Sequence, residues 1–194
     1  MKITKRSSTP WGLPQTISEI APGIADITTG SHGGYYLSPE INQLVHAAWR
    51  DASGFYEEDC QWAVVAITFP ESFTPEKVAI AHRTAKNWFP DEYVAVTGEV
   101  VVAEESHTLS ERAFLAENID RFIVVSAFGD WHKDVPAGFV AVCATMGRQR
   151  NGGASTERWF LILEDEILAD ECSNRSGYGF VVDTERHKAI PPIS

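Results

Sequence analysis

Four short runs of apolar and β-branched residues in the last third of the chain place the strongest constraint on its fold. The runs cover residues 122–127, 139–145, 159–163 and 179–182. Turn residues separate them, namely Gly129-Asp130, Pro136, Asn151-Gly152-Gly153 and Ser176-Gly177. Runs of this length between turn residues are typical of strands, and neighbouring antiparallel strands need only hairpin connections. The pattern predicts an antiparallel β-meander.

The middle of the chain carries helix signals instead. Ser38-Pro39-Glu40 and Thr74-Pro75-Glu76 each combine a capping hydroxyl, a proline for the first helical position and an acidic first turn. Apolar stripes predict helices over 39–49 and 75–88, with shorter ones near 93–96 and over 106–118. Residues 56–69 support either a helix, which the acidic start favours, or a buried strand.

The N-terminal residues 1–15 predict an irregular arm, because Pro10 and Pro14 prevent regular helix. Trp11 either anchors this arm on the body or acts as a docking residue. A hairpin is expected around Pro22-Gly23, with a short strand at 35–37. The whole indicates an α+β fold, in which residues 16–194 form one domain with a central group of helices packed on the C-terminal meander.

Composition limits the cellular setting and the partners. The 194 residues contain no apolar run near the ~20 residues of a membrane span, and three cysteines are widely spaced. We therefore expect a cytoplasmic protein without a membrane partner. The net charge of −11 disfavours direct nucleic-acid binding and is compatible with a basic protein partner, although solubility is the preferred explanation of the charge. The oligomeric state is open.

The motifs of common enzyme classes are missing from the sequence. It has no Cys-x-x-Cys pair, no His-Glu-x-x-His, no glycine-rich nucleotide loop and no Gly-x-Ser-x-Gly elbow. We therefore expect no cofactor and no structural metal, and the sequence favours a protein that is not an enzyme.

The first candidate site is the segment Ser31-His32-Gly33-Gly34-Tyr35-Tyr36. Paired glycines let backbone approach a ligand closely, and a His-Gly-Gly run resembles the oxyanion loop of some esterases. The alternative is a tight turn whose histidine bonds to backbone. In either case, we expect substitution of Gly33 or Gly34 to be destabilising.

The second candidate is the acidic run Tyr56-Glu57-Glu58-Asp59 with Cys60 after it. Carboxylates suit a hard cation, but on a helix neighbouring side chains point about 100° apart and cannot all reach one ion. A Cys60–His32 dyad is a further option. Acidic neighbours raise a thiol pKa, which opposes it.

Two weaker candidates complete the set. In Glu104-Glu105-Ser106-His107 a carboxylate and the histidine could share a proton, but capping of a helix start is the simpler explanation. Asp130 and Trp131 lie at a predicted turn, which needs no function as a polar turn, although a Trp at the tip of a turn indicates either a buried site or a partner. The weak catalytic candidates are His32, Glu58 and Cys60. The predicted binding residues are Trp11, Ser31, His32, Gly33, Gly34, Tyr36, Tyr56, Glu57, Glu58, Asp59, Asp130 and Trp131.

Several stretches resemble one family when taken together. They are Thr9-Pro10-Trp11-Gly12, Ile20-Ala21-Pro22-Gly23-Ile24, Ser31-His32-Gly33-Gly34, Tyr56-Glu57-Glu58-Asp59, Asn87-Trp88-Phe89-Pro90-Asp91, Glu111-Arg112-Ala113-Phe114 and Pro136-Ala137-Gly138. The set is similar to a family of small bacterial proteins known only as a domain of unknown function, over about Thr9 to Asp183. The resemblance implies a bacterial source, with plasmids and phages among the associated genomes, and no activity.

Two functional hypotheses follow. The favoured one is a non-catalytic acidic protein, a regulator or mobile-element inhibitor that binds a basic, nucleic-acid-binding partner. The alternative is a small hydrolase or metal-assisted enzyme that uses His32 and the Glu57/Glu58/Asp59 run. The alternative requires His32 and at least one of these carboxylates to converge in one pocket of the folded chain.

Overall fold

A computed structural model describes residues 3–149, 156–173 and 177–193 of the chain. The chain is divided into two units, residues 1–108 and residues 109–194, and each has its own four-stranded antiparallel sheet. The α+β class predicted from the sequence is confirmed. None of the helices in the described ranges has both the length and the apolar character that a membrane crossing requires.

The sheet of the first unit is built from strands in sequence order. They are β1 Thr16–Ala21, β2 Ile24–Thr28, β3 Gly33–Leu37 and β4 Phe55–Glu57. Pro22-Gly23 turns β1 into β2, and Gly23 has a φ of 80°, which glycine adopts without steric strain. The predicted hairpin is therefore present, and the predicted strand at 35–37 is part of β3.

One face of this sheet forms the core of the first unit. Strand side chains alternate between faces, and this one carries Ile24, Leu37, Tyr35 and Tyr56. The face packs against apolar residues of the chain that follows, including Val45, Val64, Val65 and Phe69.

The helices of the first unit are α1 Pro39–Asn42, α2 Trp62–Thr68, α3 Pro75–Trp88 and α4 Pro90–Thr97. Short 3-10 turns cover Pro70–Ser72 and Ala103–Glu105, and α5 His107–Glu117 begins as the unit ends. The prediction for α3 is confirmed, and the Thr74 hydroxyl accepts a hydrogen bond from the Lys77 N–H at 3.3 Å as its cap. Helices α4 and α5 match the two further predictions.

The prediction of a helix over 39–49 is wrong beyond Asn42. Arg50 donates to the carbonyl oxygens of Val45 and Gln43 at 2.9 and 3.2 Å, which holds this stretch in turns. The buried Asn42 side chain donates to the Asp51 carbonyl at 2.8 Å and accepts from the Tyr56 hydroxyl at 2.6 Å. Asn42 is thus bonded to β4 and to the segment before it, and the helix does not continue past this residue.

The prediction of a helix over residues 56–69 is correct only for the second half of this range. Residues 55–57 form β4, and only Trp62–Thr68 is helical. The acidic residues therefore do not form the first turn of a helix. They lie at the end of an edge strand and in the turn after it.

The outer side of strand β4 is closed by side chains of its own chain. The Glu58 N–H donates inward to the Gly33 carbonyl of β3 at 3.0 Å, so the N–H groups of Phe55 and Glu57 point outward. Phe55 N–H donates to the Ser53 hydroxyl at 3.3 Å, and Glu57 N–H donates to the Gln61 side-chain oxygen at 3.1 Å.

The second unit confirms the predicted C-terminal antiparallel sheet. Its strands are β5 Phe122–Phe128, β6 Phe139–Met146, β7 Arg158–Leu163 and β8 Lys188–Ile190, paired in this order. Its core contains Val140, Val142, Ala144, Phe160, Ile162 and Val182. Of the predicted turn residues, Asn151-Gly152-Gly153 and Ser176 lie outside the described residues.

Three details of the second unit differ from the sequence prediction. Residues 179–182 make only an isolated bridge, Val181 to Ile123, rather than a strand. Strand β8 and a helix α6 at Glu164–Ser173 were not predicted. His187 joins this region, because its Nδ1 accepts from the Asp183 N–H and its Nε2 lies 3.1 Å from Glu166 Oε1.

Candidate functional site

His32 is held by the tight turn between β2 and β3. The Thr29 N–H donates to the His32 carbonyl at 2.9 Å, and the Thr29 hydroxyl lies 2.7 Å from the same oxygen. The N–H groups of Ser31 and His32 point at the Thr29 hydroxyl oxygen, at 3.4 and 3.3 Å. The turn leaves the imidazole largely exposed at the end of the sheet.

Gly33 and Gly34 make room for the acidic run. Gly34 pairs with Glu57 across β3 and β4, and Glu58 follows opposite Gly33. A Cβ added to Gly33 would lie 2.7 Å from the Ile27 carbonyl oxygen and 2.8 Å from Glu58 Oε2. The glycine at position 33 therefore provides the space in which the Glu58 carboxylate lies.

His32, Glu57 and Glu58 converge at this end of the sheet. One potential ligand atom from each lies within 4.8 Å of the other two. His32 Nδ1 is 3.9 Å from Glu57 Oε1. Asp59 contributes through its backbone, since its N–H donates to Glu57 Oε2 at 2.7 Å. His32 and the two carboxylates are thus close together, which is one part of what the enzyme hypothesis requires, and the His32 ring is exposed.

The two oxygens of Glu57 have different surroundings. Oε2 accepts the bond from Asp59, whereas Oε1 is buried and has no hydrogen-bond partner in the described part of the chain. A buried acceptor without a partner costs about 1–3 kcal/mol, and more when it is charged. This oxygen points to the side on which His32 lies, so a ligand placed between the two would satisfy it.

Cys60 is a poor nucleophile in this position. It is partly buried, and burial is the largest cause that raises the pKa of its thiol, followed by the charges of Glu57 and Asp59. The direction agrees with the effect expected from acidic neighbours. The thiol therefore stays protonated at neutral pH, which disfavours the Cys60–His32 dyad.

The aromatic residues predicted to bind have packing roles. The Trp11 ring makes an edge contact with Phe55, with centroids 5.8 Å apart, and Tyr36 packs on the same Phe55 at 5.0 Å. Tyr56 is fully buried with its hydroxyl on Asn42. In the structure, Trp11 is the anchor of the N-terminal residues.

The Glu104-Glu105-Ser106-His107 segment is tied to the end of α3. The Ser106 hydroxyl donates to the Asn87 carbonyl at 3.1 Å, and the Asn87 side-chain oxygen accepts from the His107 N–H at 2.7 Å. Asn87 thereby satisfies a donor of the first turn of α5. The His107 ring lies on Trp88, with centroids 4.9 Å apart.

Asp130 and Trp131 lie in the second unit, in the connection between β5 and β6. Trp131 is 75% exposed, although its ring contacts Phe128 and His132 at centroid distances of 6.1 and 6.0 Å. The predicted turn is present, and its tip presents a large apolar ring to solvent.

Lys77 is a residue that the sequence analysis missed. Its ammonium donates to the Tyr35 hydroxyl at 2.7 Å and lies 5.3–5.5 Å from the ring centroids of Tyr35, Trp62 and Phe73. The two bonded residues are 42 positions apart in the sequence. No local pattern predicts their contact, and only the packing of α3 on the sheet brings them together.

A second missed group links α3 to α4. The Tyr93 hydroxyl donates to Glu99 Oε2 at 2.9 Å and lies 2.9 Å from His82 Nδ1, and Lys86 donates to Glu99 Oε1 at 2.7 Å. Since Tyr93 gives its proton to Glu99, His82 must donate from Nδ1. Burial, followed by the bond to Glu99, raises the pKa of Tyr93. The bond to Lys86, followed by that to Tyr93, lowers the pKa of Glu99.

The chain belongs to a family described as a domain of unknown function (DUF7007), because the sequence model of that family matches residues 4–119, more than half of the chain. The match contains His32, Glu57, Glu58 and Lys77, whereas strands β5 to β8 follow it. No curated protein and no solved structure gives a match. The candidate site therefore lies in the part of the chain that corresponds to the family.

Proposed function

We propose that the first unit binds a divalent metal ion through His32, Glu57 and Glu58, and that the protein is a metal-assisted enzyme. The observation that carries the proposal is the convergence of one imidazole and two carboxylates within 4.8 Å. The proposal departs from the sequence-based expectation of no metal. That expectation followed from the missing motifs, and the separate argument against a cation at the acidic run assumed a helix. Residues 57–59 are not helical in the structure.

The ligand types favour a transition ion. Imidazole suits zinc and related ions, and carboxylate suits manganese and magnesium, so a mixed set is well matched to Zn²⁺ or Mn²⁺. Ligand atoms lie about 2.0–2.2 Å from zinc in proteins. The three side chains must therefore move slightly closer together to coordinate one ion. Side chains at a strand end and in turns can make such an adjustment.

A simple His32–Glu57 ion pair accounts for the cluster less well. At 3.9 Å the two atoms are too far apart for a hydrogen bond, and Glu57 Oε1 remains without a partner in the described residues. The carboxylate of Glu58 adds a second negative charge next to Glu57, and one imidazolium can balance only one of the two. A dication offsets both charges at once and supplies the missing partner.

Three protein ligands leave coordination positions for water or substrate. A metal held in this way can lower the pKa of bound water toward neutrality and polarise a carbonyl or phosphoryl group. Metal-assisted hydrolysis is therefore the reaction class that we propose.

Titration calorimetry of chelator-treated protein with Zn²⁺ and Mn²⁺ tests the proposal. We expect binding of one ion per chain, with affinity at least tenfold weaker in His32→Ala and in Glu57→Gln. His46→Ala and Glu71→Gln are matched controls, because both residues are exposed and belong to the same unit. Equal affinity in all five proteins, or no binding to the unsubstituted chain, would contradict the proposal.

A second candidate function rests on the charge and on Trp131. We propose as this alternative that the chain is a non-catalytic cytoplasmic regulator from a bacterial mobile element. Its partner would be a basic, nucleic-acid-binding protein. The net charge of −11 and the 75% exposed Trp131 support it.

Affinity capture from a bacterial lysate, with the unsubstituted chain and with Trp131→Ser, tests this alternative. We expect a basic protein that is retained by the first bait and lost with the second. Retention that does not depend on Trp131, or capture of no basic protein, would count against it. The zinc titration is independent of both outcomes.

A further inference from the structure

Aromatic rings surround the ammonium of Lys77. The lysine is partly buried, and no carboxylate in the part of the chain that the structure describes forms an ion pair with it. The chain has 27 acidic residues and 16 basic ones, so acidic partners are abundant. Instead, three aromatic rings and the Tyr35 hydroxyl hold the ammonium in place. Of its three N–H donors, only the one on Tyr35 has a hydrogen-bond acceptor in the described residues.

A cavity of about 310 Å³ opens beside this ammonium. Its lining includes Lys77, Tyr35, Trp62, Asp26 and Glu58. The volume is at the lower end of the range for small-molecule sites. Glu58 is also one of the three residues of the candidate metal site, so the cavity and that site share a wall.

The charges of the cavity depend on whether a metal is bound. One cationic and two anionic side chains line it, so an anion is repelled when Glu58 carries an unbalanced charge. A dication held by Glu57 and Glu58 removes that repulsion. Asp26 still disfavours a dianion. The cavity with its metal therefore favours a ligand with a single negative charge.

We infer that this cavity binds a small carboxylate, with Lys77 and the Tyr35 hydroxyl as the anchor of the carboxylate group. The rest of the ligand then extends toward Glu58 and the metal. The inference rests on the proposed metal site and names the class of substrate that it acts on, a small monocarboxylate. Lys77 is a substrate-binding residue in this account and makes no bond to the metal.

Nuclear magnetic resonance titration with N-acetylglycine, a monocarboxylate, tests the inference on the zinc-loaded full chain. N-acetylglycinamide is the neutral probe of nearly the same shape. We expect chemical-shift changes at residues around the cavity with the first probe, and binding at least tenfold weaker with the second. Lys77→Gln should weaken N-acetylglycine binding at least tenfold, whereas the exposed Lys5→Gln should not.

Two further measurements separate the possible failures. Zinc titration of Lys77→Gln should match that of the unsubstituted chain, since Lys77 contacts neither His32 nor Glu57. The melting temperature of the variant should fall modestly, because the Tyr35 hydroxyl and the three rings lose the ammonium. If zinc binds but N-acetylglycine does not, or binds Lys77→Gln equally well, the inference on the cavity is wrong and the metal site stands. If zinc does not bind the unsubstituted chain, the metal proposal itself fails, and the inference fails with it.

Discussion

Gly34 faces Glu57 directly across strands β3 and β4, and this pairing sets the position of the acidic run. A Cβ at position 34 would overlap the Tyr56 carbonyl oxygen, lie 2.7 Å from the Trp11 ring and lie 3.0 Å from the Glu57 Cα. The backbone φ of Gly34 is 154°, which L side chains rarely adopt. Only glycine allows the two strands and Trp11 to approach so closely.

We expect Gly34→Ala to lower the free energy of unfolding by about 1–3 kcal/mol, because the new methyl group meets backbone atoms that cannot move independently. Gly30→Ala is the matched control in the same hairpin turn, since its added Cβ would meet only the Gln15 side chain at 3.5 Å. Urea denaturation of both variants measures the difference. Equal stability of the two variants would mean that β3 and β4 separate at no cost.

Ionisation of the Tyr56 phenol is expected to lower the stability of the fold at alkaline pH. Burial raises the pKa of this phenol to about 12, from an ordinary value of 10. The folded state holds the phenol proton more tightly than the unfolded state, which adds to the free energy of unfolding. This stabilisation is complete below about pH 10 and is lost as the pH rises to about 12. A shift of this size corresponds to about 2–3 kcal/mol.

Denaturation of the unsubstituted chain and of Tyr56→Phe between pH 8 and pH 12 measures this contribution. The variant is expected to be less stable at neutral pH by about 1–3 kcal/mol, because Asn42 and the Asp51 N–H lose their partner. Its stability should then fall less steeply above about pH 10. Parallel curves for the two proteins would rule out the titration of Tyr56 as the cause.

The Tyr93 hydroxyl joins His82 to Glu99, and Tyr93→Phe removes both bonds. We expect a loss of about 1 kcal/mol in the free energy of unfolding, since water can partly replace the tyrosine at the exposed Glu99. A double-mutant cycle with Glu99→Gln should show that the two effects are not additive. Additive effects would indicate that the Tyr93–Glu99 bond contributes nothing to stability.

Metal binding at the proposed site predicts stabilisation by mass action. At a free Zn²⁺ concentration of about 100 times the dissociation constant, the first unit gains about 2.7 kcal/mol if the unfolded chain does not bind the ion. Differential scanning calorimetry with and without zinc measures this gain. We expect His46→Ala to retain the gain and His32→Ala to lose it, and a gain shared by both would point to nonspecific binding.

The sequence predicts well those elements whose signals are local. Helix α3 begins at a threonine cap with proline next to it, and the Pro22-Gly23 turn requires only its own two residues. Strands β5 to β7 also follow from their apolar runs between turn residues. In each case, the atoms that decide the conformation are within a few positions of one another.

The elements that differ from prediction depend on distant contacts. Helix α1 ends early because Asn42 bonds to Asp51 and Tyr56, and β4 exists only because β3 is there to pair with it. An edge strand of three residues has too short a pattern to compete with the helical periodicity of residues 56–69.

The candidate site shows the same division. The sequence identifies His32 and the acidic run as chemically unusual, and it states that they must converge to act together. The helical interpretation of residues 56–69 argues against a shared ion, and this argument no longer holds once Glu57 ends a strand. Lys77 carries no local signal, because its partner Tyr35 lies on another element.

The closed outer side of β4 has a consequence for self-association. An edge strand with open N–H groups invites a strand from another molecule to pair with it. In this chain, Ser53 and Gln61 occupy both outward donors of β4, and Glu57 and Glu58 add charge at its end. A foreign strand would have to displace both side chains and accept two carboxylates beside it. These side chains therefore disfavour the pairing of a strand from another molecule with this edge of the first sheet.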